Sequence, residues 1–287
     1  MSAPNRSGRL AVFLLMAPAA TLLAVFFVGP LVLLLRVSLY APPAGRGFYQ
    51  SGTWAPGNYA DLLADSYFRE LLLFTVLLAL SLSVLVLSIA YPLALFIHAL
   101  SPRGKTIALA AVVLPKFASM LVTVYGLQAL LAGRGPVNRL LVAIGLVGEP
   151  LLLTRGLTGV VIGETYLLLP YAVLVLVIAL GRIDPGLVAA ARGLGASPAR
   201  AFSRVTLPLS LPGLAVAGQL TLVWALGAFV GPLLMGSPSQ ITLAVEVHRQ
   251  AVENNRWPLG AATAVLLILI FAVMSGTTAL LWRRKQR

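Results

Sequence analysis

The sequence predicts an all-α, polytopic membrane protein with six transmembrane helices and both termini in the cytoplasm. Three observations point there. Of 287 residues, 59% are apolar and only 10% charged, against about half and about a quarter in soluble domains. Six stretches (10–35, 71–97, 106–131, 156–181, 209–235 and 259–282) reach the roughly 20 mostly apolar residues that cross about 30 Å of hydrocarbon. The lysines and arginines lie almost entirely between these stretches, and unevenly.

The first stretch follows Arg6 and Arg9. Its apolar run of about 26 residues exceeds the 7 to 15 of a signal-peptide core and holds no small-residue cleavage site, so a retained first span is expected. Stretches one, two, five and six carry no Asp, Glu, Lys or Arg, whereas the third holds Lys116 and the fourth Glu164.

With six spans, the N-terminus, the loop near Pro102, the loop 182–208 and the C-terminus share one side. That side carries twelve basic residues: Arg6, Arg9, Arg103, Lys105, Arg182, Arg192, Arg200, Arg204, Arg283, Arg284, Lys285 and Arg287. The other side carries eight in longer loops: Arg36, Arg46, Arg69, Arg134, Arg139, Arg155, Arg249 and Arg256. Cytoplasmic loops carry the Lys/Arg excess. The expectation is a multi-pass protein of the cell (inner or plasma) membrane, both ends inside.

The net charge of +13 does not point to nucleic acid, which needs a basic face on a soluble fold; the membrane surface and an intracellular protein partner account for it. The absence of Cys leaves no disulfide framework or Cys-based metal site. His98 and His248, the only two histidines, are about 150 positions apart, which argues against a His-rich metal or catalytic cluster.

The loop 182–208 has more structure than the positive-inside rule requires. Asp184-Pro185 is a helix start, Asp as N-cap and Pro at the first helical position. Leu187, Ala190, Ala191 and Leu194 recur at helical spacing, and Gly195 suits the left-handed residue that ends such a helix. Ser197-Pro198 repeats the start, predicting a second short helix toward Leu207 that stops at Pro208. Helix, tight turn, helix, with Arg192, Arg200 and Arg204 on offer, reads as a rigid docking element.

Here the residues resemble a family. Ala189-Ala190-Ala191, three residues, Gly195, nine residues, then Val205-Thr206-Leu207-Pro208 match the spacing of the EAA motif of ABC importer permeases (Glu-Ala-Ala, three residues, Gly, nine residues, Ile-x-Leu-Pro). Gly57-Asn58-Tyr59 with Leu62-Leu63, Leu130-Leu131-Ala132-Gly133 with Gly135 and Asn138, Gly231-Pro232-Leu233-Leu234-Met235-Gly236, and Trp257-Pro258-Leu259-Gly260-Ala261 are similar to segments of the spermidine/putrescine-type group.

The resemblance implies a type I ABC importer permease in which Ala189, Ala190, Ala191, Arg192, Gly195, Arg200, Arg204, Leu207 and Pro208 couple to a cytoplasmic ATPase dimer. It further implies a second permease subunit and an extracytoplasmic solute-binding protein, with ATP bound by the partner ATPase and no cofactor in this chain. Ala189 stands where the motif has Glu, so docking falls to packing and to the arginines.

Lys116 lies roughly 15 Å into the third span and Glu164 roughly 12 Å into the fourth. Intramembrane charges face a partner or a cavity, leaving two readings: a structural interhelical ion pair, or contacts with the pathway. Gly159-x-x-x-Gly163 and Gly227-x-x-x-Gly231 have the small-residue spacing of close helix packing, within the chain or against a partner.

Gly104-Lys105-Thr106 mimics a P-loop ending, but Ala99 stands where that motif needs Gly. No enzymatic site is expected: an intramembrane hydrolase needs a Ser/His or paired-Asp constellation, and Glu164 is the sole acid within the six stretches. A six-span secondary transporter, the rival, shows inverted repeats that are not evident here and leaves 184–208 unexplained. The cargo is expected to be a small, polyamine-like solute, with Tyr125, Tyr166, Tyr171 and Trp224 as candidate contacts. An amino-acid-like compound or a metal complex is the alternative.

Overall fold

The computed structural model describes residues 6–43, 45 and 47–285, and side chains within 15–278 of that range. Arg46 and Arg287 of the loop-charge comparison lie outside the described residues, as do the side chains of Arg6, Arg9, Arg283, Arg284 and Lys285.

Helices make up nearly all of the regular structure. In order they are α1 (Arg6–Leu23), α2 (Gly29–Ser38), α3 (Gly57–Ala64), α4 (Ser66–Ala99), α5 (Pro102–Val113), α6 (Met120–Leu131), α7 (Pro136–Ala143), α8 (Leu157–Gly181), α9 (Pro185–Gly193), α10 (Pro198–Ala201), α11 (Leu207–Leu226), α12 (Val230–Met235), α13 (Leu243–His248) and α14 (Trp257–Lys285). Among the described residues, five helical segments are long and apolar enough to span a bilayer: Leu15–Ser38, Ser66–Ala99, Leu157–Gly181, Pro198–Leu226 and Trp257–Thr278. A sixth qualifies only as a bent pair, Pro102–Phe117 with Met120–Ala143, turning through 105°.

Three features differ from the sequence expectation. The stretch 106–131 is not a straight rod: α5 tightens into a 3₁₀ turn, Leu114–Phe117, then breaks at Ala118 before α6. Pro115 takes the second position of that turn, an early place where a residue without an N–H is tolerated. The stretch 209–235 is likewise broken, α11 ending at Leu226 and α12 starting at Val230. Finally, Pro208 does not stop the second helix of the basic loop. A π-turn, Phe202–Thr206, joins α10 to α11, and Pro208 falls at the start of the next helical segment, a place that tolerates a residue without an N–H.

The described residues form two compact units, those up to 66 with 246–268 and those of 67–245 with 269–285. In the larger unit, α4, α8 and α11 bury Leu82, Val86, Ala90, Leu168, Ala172, Leu176, Ala217 and Leu226 against one another. Polar ties cross this packing: Ser83 Oγ to Thr221 Oγ1 at 2.9 Å and to the Gly218 carbonyl at 3.2 Å, and Tyr91 OH to Ser210 Oγ at 2.7 Å. A Cβ on Gly213 would overlap that of Ala179, so glycine sets how closely α11 approaches α8. A second cluster, Val124, Leu131, Leu167 and Met235, packs α6 and α12 onto α8, and Gln128 Nε2 donates to the Leu234 carbonyl at 2.7 Å.

Three of the four glycines in the small-residue patterns are packed closely inside this unit. A Cβ on Gly163 would lie 2.9 Å from Met235 Sδ, one on Gly159 2.9 Å from the Thr154 backbone, and one on Gly231 would strike the Glu164 carboxylate. Gly227 has no such close neighbour. Asn138, fully buried, staples the α6–α7 loop: its Nδ2 donates to the carbonyls of Leu131, Ala132 and Leu151, and its Oδ1 accepts from Leu151 N at 2.8 Å.

In the smaller unit, Asn58 does the same work. Its Nδ2 donates to the Ser38 and Tyr40 carbonyls, both at 2.9 Å, and Tyr59 OH pairs with Ser38 Oγ at 2.6 Å. Tyr40 stacks on Tyr49, and Phe48 lies on Trp257. Glu246 is buried and paired with Arg249 at 2.8 Å.

Candidate functional site

Two regions of the larger unit hold the candidate residues. The first is the basic segment. Asp184 caps α9, its Oδ1 accepting from Gly186 N at 2.8 Å. The helix closes with Gly195 N bonded to the Arg192 carbonyl at 3.0 Å and Ala196 N to the Ala191 carbonyl at 3.1 Å, the bond pair of a Schellman motif. Gly195 has φ +88°, a left-handed conformation that glycine adopts without a Cβ penalty. Ser197 then caps α10, Oγ accepting from Arg200 N.

Of the motif residues, Ala189, Ala190, Arg192, Gly195, Arg200, Arg204 and Pro208 are exposed, and Ala191 and Leu207 half-buried. The three arginines extend from one short element into solvent. Below them, Ala201 is buried, Phe202 lies 6.3 Å from the Tyr91 ring, and Ser210 bonds Tyr91, so the segment is anchored to α4 and runs without interruption into a spanning helix. Leu194, at the tip of the turn, is 91% exposed. Sequence reasoning used it only for periodicity; its signal was an aliphatic residue between two glycines, where a loop normally places polar groups.

The second region lies around the bend after α5. The Lys116 ammonium sits 4.8 Å from the centre of the Tyr171 ring and donates to the Leu167 carbonyl. Tyr171 in turn packs on Trp224, centroids 4.8 Å apart. Glu164, Leu167 and Tyr171 are spaced to share a face of α8. Glu164 is 3% exposed, with Oε1 lacking a hydrogen-bond partner. No salt bridge joins Lys116 to Glu164, so the direct interhelical ion pair that their depths suggested is not made.

Of the four candidate aromatics, the structure brings Tyr171 and Trp224 together with Lys116. Tyr166 instead lines a groove of about 400 Å³ with Pro115, Ala118, Val122 and Val137, and Tyr125 projects from α6, 57% exposed. Missed from sequence was the role of Leu167, whose carbonyl receives the ammonium. Among the described residues no group of three or more His, Cys, Asp or Glu is placed to hold a metal.

A helical chain with five or six candidate spans, broken helices and an exposed, anchored helix pair has the build of a polytopic transport permease. The comparisons agree. Residues 62–287 match the family of binding-protein-dependent transport system inner membrane components. The chain is 32% identical to the spermidine/putrescine transport system permease protein PotB of Escherichia coli K12 over 217 residues, 76% of this chain and 78% of that protein. PotB of Salmonella typhimurium SL1344 is equally similar, with 75% of its length covered. The fold resembles a subunit of a bacterial ABC transporter for alginate import, with a TM-score of 0.76 at 19% identity, 97% of this chain and 96% of that one being covered. The chain belongs to the binding-protein-dependent transport family and is an inner-membrane permease subunit of an ABC importer.

Proposed function

We propose that this permease imports a polyamine-like solute, received from an extracytoplasmic solute-binding protein and moved by a cytoplasmic ATPase dimer working through residues 184–208. The observation that carries the cargo assignment is the 32% identity to PotB across three quarters of the chain. The aromatic pair beside an ammonium, Tyr171 and Trp224 with Lys116, supports it, since cations are held on aromatic faces.

In this reading α9 and α10 dock on the ATPase. ATP is bound and hydrolysed there, and this chain carries no cofactor. The Schellman closure and two side-chain caps give the segment the stiffness that transmission needs, and the helical continuity of Pro198–Leu226 passes an ATPase movement straight into a span. Ala189 offers no carboxylate, so Leu194 and the arginines supply the contact. A second permease completes the pathway, both termini face the cytoplasm, and Lys116, Tyr171 and Trp224 face the cargo.

The test is reconstitution of the permease with its ATPase, partner permease and binding protein in proteoliposomes. ATP-dependent, vanadate-sensitive uptake of labelled spermidine or putrescine is expected. Uptake without the ATPase restores the secondary-transporter reading, and competition by an amino acid or metal complex but not by polyamines reassigns the cargo.

A further inference from the structure

The mid-membrane lysine has no carboxylate partner, yet it is not unsolvated. Its ammonium lies over the Tyr171 ring and on the Leu167 carbonyl, with Trp224 packed behind Tyr171. An aromatic face plus a carbonyl is what a protein uses to hold an alkylammonium ligand, and the end of a lysine side chain is a primary alkylammonium. The site is accessible: Trp224 is 43% exposed, and Tyr171 and Lys116 are only half-buried. Its occupant is mounted on a single 3₁₀ turn, Leu114–Phe117, next to the 105° break at Ala118 and Ser119. Such a turn has few bonds of its own to resist displacement. One face of α8 also carries Glu164, whose buried Oε1 lacks a partner.

We infer that Tyr171, Trp224 and the Leu167 carbonyl form an ammonium subsite of the transport pathway, filled in this conformation by Lys116 as a tethered occupant and vacated to an amine group of the cargo when the Leu114–Phe117 turn moves. Lys116 is then a gate residue that holds the subsite while it is empty of cargo and competes with cargo for it. This rests on the reading of the cargo as a polyamine.

The test uses the assembled transporter in nanodiscs without the binding protein, with butylammonium and spermidine as probes, and separately the uptake assay. Lys116→Met opens the subsite, and equilibrium binding of both probes is expected to tighten roughly tenfold, the scale of a partly desolvated cation–π contact. Lys116→Met/Tyr171→Leu is expected to lose that gain, and Lys116→Met/Tyr171→Phe, which keeps a ring face, to retain it. If Lys116→Met does not assemble, Lys116→Gln in the same two backgrounds replaces it. No gain on removing the lysine, or a gain indifferent to Tyr171, overturns the subsite. Failure of the wild-type transporter to take up polyamines overturns the cargo reading, and the butylammonium series then still decides whether an ammonium subsite exists.

Discussion

The backbone N–H of Ala196 donates to the carbonyl of Ala191 at 3.1 Å, closing α9 around a left-handed Gly195 and aiming Leu194 outward. That bond turns a basic loop into an element of fixed shape. Replacing Gly195, φ +88°, with valine is expected to cost about 1–2 kcal/mol of local strain and to open this closure. Binding-protein-stimulated uptake should fall at least severalfold while the subunits still co-purify. A Gly195→Val transporter with normal uptake per ATP hydrolysed refutes the rigid-lever role.

Asn138 is the second test. It makes four hydrogen bonds and is fully buried. Asn138→Ala leaves buried carbonyls and an N–H unpaired, at about 2–3 kcal/mol in total. The melting temperature of the purified complex should drop by about 5–10 °C, with no change in cargo selectivity among assembled molecules.

Gly213 and Ala179 form a size-matched pair across α8 and α11. Gly213→Ala is expected to destabilise assembly, because the new methyl meets the Ala179 methyl. Ala179→Gly in the same chain should restore it. The double-mutant cycle should show a favourable coupling of about 1–2 kcal/mol, as for residues in direct contact.

Glu164 discriminates between the two readings of the intramembrane charges. As no ion pair joins it to Lys116 and its Oε1 is unpartnered, replacing the carboxyl with an amide orphans no bonded cation. Glu164→Gln is expected to assemble normally and melt no lower than wild type, while transport of a cationic solute slows. A lower melting point rescued by Lys116→Met returns the pair to a purely structural role.

The comparison of sequence with structure separates what composition encodes from what direction requires. The spanning stretches were legible because hydropathy needs only length and apolarity, and the α9 and α10 caps because Asp184, Pro185, Gly195, Ser197 and Pro198 each have a narrow backbone use. The bend after Lys116 was hidden: an apolar run reads the same straight or turned through 105°, and Pro115 alone is compatible with either. Pro208 was read as a stop because a π-turn, which re-registers the ladder, leaves no sequence mark. Asn58 and Asn138 were legible as family-like positions, but their roles as buried staples depended on carbonyls brought together only by the fold. The Lys116–Glu164 pairing failed for the same reason. Equal depth does not fix direction, and a ring and a carbonyl reached the ammonium first.

In the proposed function, residues 184–208 form the surface that meets the ATPase in the cytoplasm. The chain contains no cysteine, so Leu194→Cys introduces a unique thiol at the exposed tip of the turn. In the reconstituted transporter this thiol is expected to be unreactive to membrane-impermeant maleimide added outside, and to cross-link specifically to the ATPase subunit in a yield that changes with ATP and vanadate. Labelling from outside, or cross-linking that never captures the ATPase, contradicts the coupling assignment and the orientation on which it rests.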